Sequence, residues 1–211
     1  TYTGNATSGA TIGHGLGAIP QIIMTKKRNA SGGWFVYFAF NTDDPETEEL
    51  NLEVTEATQD NDNIWNDTSP TSSVFSLGNN AAVNGNSDTF VAYCWTPIDG
   101  FSNFGKYKGN ANANGAFIYT GFRPAWIMLK PMTRTGHWMI KNTKSNPYNV
   151  ADKVIFANAS AGEYTDPAAD TKADILSNGF KIYTTDDNTN DAETYFYMAF
   201  AEFPTKYTTA R

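Results

Sequence analysis

Short apolar runs rich in aromatic and β-branched residues alternate along this chain with clusters of Asn, Asp, Gly, Thr and Ser, a pattern that predicts strands and turns rather than helices. Residues 22–26 and 34–40 read as a strand pair joined by the turn Asn29-Ala-Ser-Gly-Gly33, and 126–130 and 137–141 as a second pair joined through Thr133-Arg-Thr-Gly136. In 34–40, Trp34, Val36, Phe38 and Phe40 fall on one face of the strand and Phe35, Tyr37 and Ala39 on the other. A strand wet on one side would alternate with polar residues. This run, together with 89–95 and 195–201, is therefore expected to be covered on both faces, by a second sheet, by long loops or by a partner subunit.

The two strand pairs repeat one phrase without a gap. Gly17, Pro20, Ile23, Met24, Lys26, Gly32 and Trp34 recur as Gly121, Pro124, Ile127, Met128, Lys130, Gly136 and Trp138, a constant offset of 104 residues. The run 89–95 recurs at 194–200, an offset of 105. We read the chain as an internal duplication in which each half is one supersecondary unit. The expected fold is all-β: a jelly-roll-like β-sandwich built from two pseudo-symmetric repeats, at about 11–102 and 115–203, within a single domain over 1–211. An Asn/Gly-rich connector is expected at 103–114. Trp34 and Trp138 are expected to be equivalent core residues. Pro20 and Pro124 sit at strand starts, where a missing N–H is tolerated. Two polar segments, 41–70 and 142–171, occupy equivalent places, and loops of that length are usually functional or locally structured. Within them, 50–54 and 154–156 are candidate short strands.

Composition narrows the function. With 40% hydrophobic residues the chain can bury an ordinary core. It has no apolar run of about 18 residues to insert in a membrane, and no basic segment followed by an apolar one suggests a signal peptide. It opens on Thr1, which suggests a domain taken from a longer protein. A formal net charge of −7 argues against nucleic acid, whose recognition needs clustered cations. The single cysteine, Cys94, lies in an apolar run and reads as a small buried hydrophobe.

No catalytic constellation emerges. The two histidines, His14 and His137, have no Ser or Cys motif nearby and no shared place in the repeat. The run Gly13-His-Gly-Leu-Gly17 is followed by a strand, not by a helix N-terminus that would hold phosphate. The acidic runs 60–67 and 186–191 carry oxygen ligands of the kind calcium takes, but neither matches the twelve-residue loop pattern; no cofactor is expected. Carboxylates for a polysaccharide depolymerase, Asp60, Asp62, Glu163 and Asp166, are present without a reason to pair them. Aromatics make up 14% of the chain, and most fall in strands. Trp65, Tyr107, Tyr148 and Tyr164 stand isolated among polar residues, where a ring can stack on a sugar face while neighbouring groups hold hydroxyls, or anchor a loop. The candidate ligand-binding set is Trp65, Asp60, Asp62, Tyr148 and Tyr164, with no catalytic or metal-binding residue.

The repeated phrase, with Phe90-Val-Ala-Tyr-Cys-Trp95, Gly100-Phe-Ser-Asn-Phe-Gly-Lys-Tyr-Lys-Gly-Asn110, Tyr119-Thr-Gly-Phe-Arg-Pro124, Asn178-Gly179 and Tyr197-Met-Ala-Phe-Ala-Glu202, resembles an uncharacterised domain at the C-terminal end of long structural proteins of marine bacteriophages. There it often follows a concanavalin-like lectin module. The resemblance runs from about Ile12 to the end, where Thr208-Thr-Ala-Arg211 is similar to the usual terminus, and it is least specific in 41–70 and 148–171. It implies a virion surface protein, such as a tail fibre, tail spike or appendage, with no catalytic residues to carry over. The expected partners are a host-surface glycan or other virion proteins, in a homo-oligomer for which a trimer is one form. The alternative is a purely structural decoration or oligomerisation domain, and a depolymerase is the weakest reading.

Overall fold

The computed structural model describes residues 1–165 and 171–203. It is all-β with several antiparallel sheets. The chain divides into two compact units, Thr1–Thr96 and Pro97–Arg211.

The first unit contains β1 (Tyr2–Thr3), β2 (Ala10–Gly13), β3 (Ile22–Lys27), β4 (Trp34–Phe38), β5 (Glu48–Asn51), β6 (Gln59–Asp60), the single-turn helix α1 (Asp62–Trp65), β7 (Val74–Leu77), the single-turn helix α2 (Ala81–Asn84) and β8 (Thr89–Trp95). Its large sheet has the order β1-β8-β3-β4-β5-β6, and β2 pairs with β7 in a small one. The core lies between them: Ile23 and Tyr37 from the large sheet meet Phe75 and Leu77 from the small one, with Ile64, Trp65 and Val83 from the helices. The polar segment 41–70 is locally structured and supplies β5, β6 and α1. Both short helices are started by an asparagine side chain, Asn61 accepting from the Asn63 N–H (3.3 Å) and Asn80 from the Ala82 N–H (2.9 Å). The first ends at Asn66, at φ 59°, a left-handed stop that asparagine tolerates.

The second unit contains β9 (Ser102–Lys108), β10 (Phe117–Tyr119), β11 (Pro124–Pro131), β12 (Met139–Asn142), β13 (Lys153–Phe156), β14 (Tyr164–Thr165), β15 (Ala173–Leu176), β16 (Gly179–Ile182) and β17 (Thr194–Ala201). Its large sheet runs β9-β17-β11-β12-β13-β14, and its small sheet β10-β16-β15. These two sheets also share a core, with Ile127, Leu129, Tyr195 and Tyr197 on one side and Ile118, Ile175, Phe180 and Ile182 on the other. The first half of the expected connector is strand instead: residues 103–108 belong to β9. Phe104 and Tyr107 bury their rings there, and Gly105 lies opposite Tyr197, where any Cβ would meet that ring at 2.8 Å. The polar and glycine-rich composition of this edge strand concealed it.

The two large sheets can be compared strand by strand. In the first unit Ile22 faces Trp95 on one side and Phe38 on the other; in the second, Trp126 faces Phe200 and Asn142. In the small sheets Ile12 faces Phe75 and Ile118 faces Phe180. Both hairpins close with one device. The Lys26 ammonium donates to the Gly32 carbonyl and lies 5.7 Å over the Trp34 ring. The Lys130 ammonium donates to the Gly136 carbonyl (2.9 Å) and lies 5.9 Å over Trp138. A cation held over an indole face is attracted by the ring quadrupole.

The environments of these two tryptophans differ. Trp138 is fully buried and meets Phe196 edge-on at 5.4 Å, whereas Trp34 is only half-buried. The expectation of two equivalent core tryptophans is corrected on this point. Trp138→Ala removes a large ring from a closed site and is expected to cost roughly 3–5 kcal/mol. Trp34→Ala, which leaves less cavity, is expected to cost about 1–2 kcal/mol. Equilibrium unfolding in denaturant measures both, and equal losses would contradict the difference in burial.

Candidate functional site

The residues singled out by sequence divide between the two units, Trp65, Asp60 and Asp62 in the first and Tyr148 and Tyr164 in the second. Trp65 is 1% exposed. The single turn of α1 tips its ring inward, edge-on to Tyr37 at 5.9 Å and to Phe75 at 6.4 Å, so no ring face is open for a ligand. Its assignment as a stacking residue is corrected: it anchors the loop. Asp60 and Asp62 are exposed and belong to an acidic surface with Glu46 and Asp67. Desolvation and then the charges of Asp62, Asp60 and Glu46 raise the Asp67 carboxyl above its usual range. Among the described residues no group of three or more His, Cys, Asp or Glu side chains has the arrangement to hold a metal ion. Tyr148, 84% exposed, and Tyr164, tilted against Phe156 at 6.0 Å, belong to the second unit. Of the carboxylates considered for hydrolysis, Glu163 is exposed, while Asp166 lies outside the described residues, as does 208–211.

The remaining chemistry-bearing side chains are held in structural contacts. His14 accepts from the Leu16 N–H through Nδ1 (3.2 Å), which leaves Nε2–H to donate to the Thr71 carbonyl (3.1 Å). His137 stacks on Phe156 at 4.5 Å and faces the Asn158 amide through Nδ1 (3.1 Å). Tyr107 buries its ring and donates to the Thr189 carbonyl (2.7 Å). Cys94 lines a cleft of about 190 Å³ with Tyr2, Ile12, His14, Phe75 and Ala92. Burial pushes its thiol up to about 11, so the nucleophilic thiolate is scarce at neutral pH.

What sequence reasoning missed is the solvent face of the small sheet in the second unit. On β10, Ile118 points into the core while Phe117 and Tyr119 point out, 46% and 64% exposed. Across from them on β16 stand Lys181 and Gly179. Gly179 has no room for a side chain, because a Cβ there would meet the Ile118 carbonyl oxygen at 2.1 Å, so the surface beside Tyr119 stays flat. Lys181 donates to the Gly115 carbonyl (2.7 Å) and holds its ammonium 5.3 Å over the ring of Tyr183, which is 37% exposed. Asp174 faces Lys181 from β15; after desolvation, its charge raises the Tyr183 phenol.

Three rings thus stand on one face without a core to fill. The first unit shows that the topology does not require them: where Ile12 takes the place of Ile118, the neighbours that match Phe117 and Tyr119 are Thr11 and Gly13. Sequence alignment at the offset of 104 pairs Ile118 with His14 instead, and this slip of two residues hid the contrast. The signal available was the triplet Phe117-Ile118-Tyr119 itself, apolar at every position on a short strand.

These features define a class: an all-β protein that presents aromatic side chains on a sheet face of its second unit. The chain belongs to the family described as a domain of unknown function (DUF7483), whose model matches residues 1–204. No curated protein and no solved structure matches it.

The half-buried Cys94 thiol supplies a test. Modification of Cys94 by an alkylating reagent is expected to be slow at neutral pH and to rise with a midpoint near 11, well above the 9.0 of an unperturbed thiol. Because the folded pKa is raised, the protonated thiol stabilises the fold fully below pH 9.0, and that contribution disappears as pH climbs from 9.0 to about 11. Rapid labelling at neutral pH would show the thiol to be solvated.

Proposed function

We propose that this chain is a non-enzymatic surface module of a bacteriophage virion, the C-terminal part of a tail fibre, tail spike or appendage, and that it attaches to a glycan of the host surface. The observation that carries this reading is the exposure of Phe117 and Tyr119 on β10, at positions where the first unit has Thr11 and Gly13. Exposed rings on a folded sheet lose hydrophobic stabilisation unless something covers them. A flat aromatic surface with a phenol, an ammonium and a carboxylate beside it suits the apolar face and hydroxyl rim of a sugar. The resemblance to phage structural proteins supports the location. The common strand order and pairing register support an internal duplication, in which the second copy has acquired the rings.

A second reading rests on the same rings. Phe117, Tyr119 and Tyr183 are also what a homo-oligomer, a trimer among others, would bury between copies in a virion decoration domain. One double variant separates the two. F117A/Y119A is expected to leave the thermal midpoint nearly unchanged, since neither ring fills the core, and to weaken glycan-array or host-cell binding by about tenfold or more. Sedimentation of both proteins decides the alternative: an oligomer that the double variant dissociates, with no glycan bound by the wild type, favours the structural module.

A further inference from the structure

A separate aromatic surface stands on the first unit, on the face of the large sheet turned away from its small sheet. Trp34 on β4 and Tyr93 and Trp95 on β8 form a row. The Trp34 and Tyr93 rings are 6.2 Å apart and 26° from parallel, and the Tyr93 and Trp95 rings 6.0 Å apart and 21° from parallel. Parallel rings in full face contact lie about 3.5 Å apart, so centroids at this spacing mean rings slid sideways, each leaving part of its face uncovered. Tyr93 is 48% exposed, and Trp34 and Trp95 are half-buried.

The second unit again provides the control. In the same pairing register, Tyr93 is replaced by Met198, which is 3% exposed, and Trp95 by Phe200, whose ring is packed by Phe101, Phe104 and Trp126. Met198 is closed, and Phe200, half-buried like Trp95, has its ring engaged by three others; neither carries a hydrogen-bonding group. In the first unit a phenol and an indole N–H stand in their place, groups suited to a ligand that is apolar on one side and polar at its edge.

Charge narrows the ligand further. The ammonium of Lys26 lies at the Trp34 end of the row, with one donor used on Gly32 and others free to bond. Arg28 is exposed, and its N–H still bonds the Thr89 carbonyl (2.8 Å), so strand alternation continues and puts it on the Lys26 side. Among the described residues neither cation has a carboxylate partner. Glu53, which is close by, accepts instead from the Trp34 backbone N–H (2.7 Å). Two cations without carboxylate partners at the end of an aromatic row are a local exception in a chain of net charge −7.

We propose that the Trp34–Tyr93–Trp95 row with Lys26 and Arg28 is a binding surface for an acidic oligosaccharide, with sugar rings on the aromatic faces and a sugar carboxylate or sulfate at the two cations. It is distinct from the Phe117 face and stands whether or not that face attaches to a host. The test is titration of the full chain with oligogalacturonate, and with a neutral cello-oligosaccharide as the control. Tryptophan emission and its quenching by acrylamide give the readout, because Trp34 and Trp95 lie in the site, Trp65 and Trp138 are buried, and the half-buried Trp126 of the second unit is a background that the neutral sugar calibrates. The acidic sugar is expected to shift emission and shield the indoles, with affinity falling as salt rises. Y93A is expected to weaken binding about tenfold at unchanged secondary structure, R28A to weaken it and flatten the salt dependence, and F117A/Y119A to leave it unchanged. Equal binding of the neutral sugar, full binding by Y93A and R28A, or no response to the acidic sugar would each overturn the proposal.

Discussion

Each unit is organised around an antiparallel strand pair, β3 with β8 and β11 with β17, whose two faces are both apolar along most of their length. Such a pair cannot remain half-wet. Its inward face is closed by the small sheet, through Ile23 and Phe75 in the first unit and Ile127 and Phe180 in the second. Its outward face is also largely withdrawn from water: Ile22 and Met24 are 0% and 6% exposed in the first unit, and Met128 and Met198 are 6% and 3% exposed in the second. The outer strands, the short helices and the long polar segments are arranged around this requirement.

Burying the outward face creates a difficulty at Lys130, which stands next to the end of β11 and is completely buried. A buried ammonium is costly unless its donors are used. The hairpin turn answers this by placing the Gly136 carbonyl within 2.9 Å and the Trp138 ring face beneath the charge. The same three residue types recur at Lys26, Gly32 and Trp34, where the ammonium is not buried. The repeated phrase is therefore a hairpin device that tolerates two degrees of burial. In the open copy, the Trp34 ring remains within reach of solvent.

Function in this reading is carried by departures of one unit from the other. The strand order sets which positions face the core, and those positions remain apolar in both. The positions on the other faces are free to differ, and three of the differences are rings: Phe117 and Tyr119 where the first unit has Thr11 and Gly13, and Tyr93 where the second has Met198. Loops contribute less than their length suggested. The acidic segment 41–70 places its tryptophan in the core and folds into two strands and two short helical turns, Pro45–Thr47 and Asp62–Trp65.

The sequence by itself determined the all-β class, the hairpins read at 22–40 and 126–141, whose second strands run Trp34–Phe38 and Met139–Asn142, and the doubly apolar central strands, because these depend on local alternation and turn chemistry that neighbouring residues carry. It also exposed the repeated Lys, Gly and Trp. It did not reveal β9, whose pairing with β17 is made between residues far apart in the chain, from Lys108 with Thr194 to Ser102 with Phe200, and whose Asn, Lys and Gly content resembles a linker. Nor did it reveal which aromatics are free. Trp65 among Asp and Asn has the composition of a surface loop yet is buried by one turn of helix, while Phe117 and Tyr119 have the composition of a core strand yet face water. Burial is decided by what packs across from a residue, and those partners, Tyr37 and Phe75 for Trp65 and only Lys181 and Gly179 across the ladder from the β10 rings, are brought together by the tertiary structure alone.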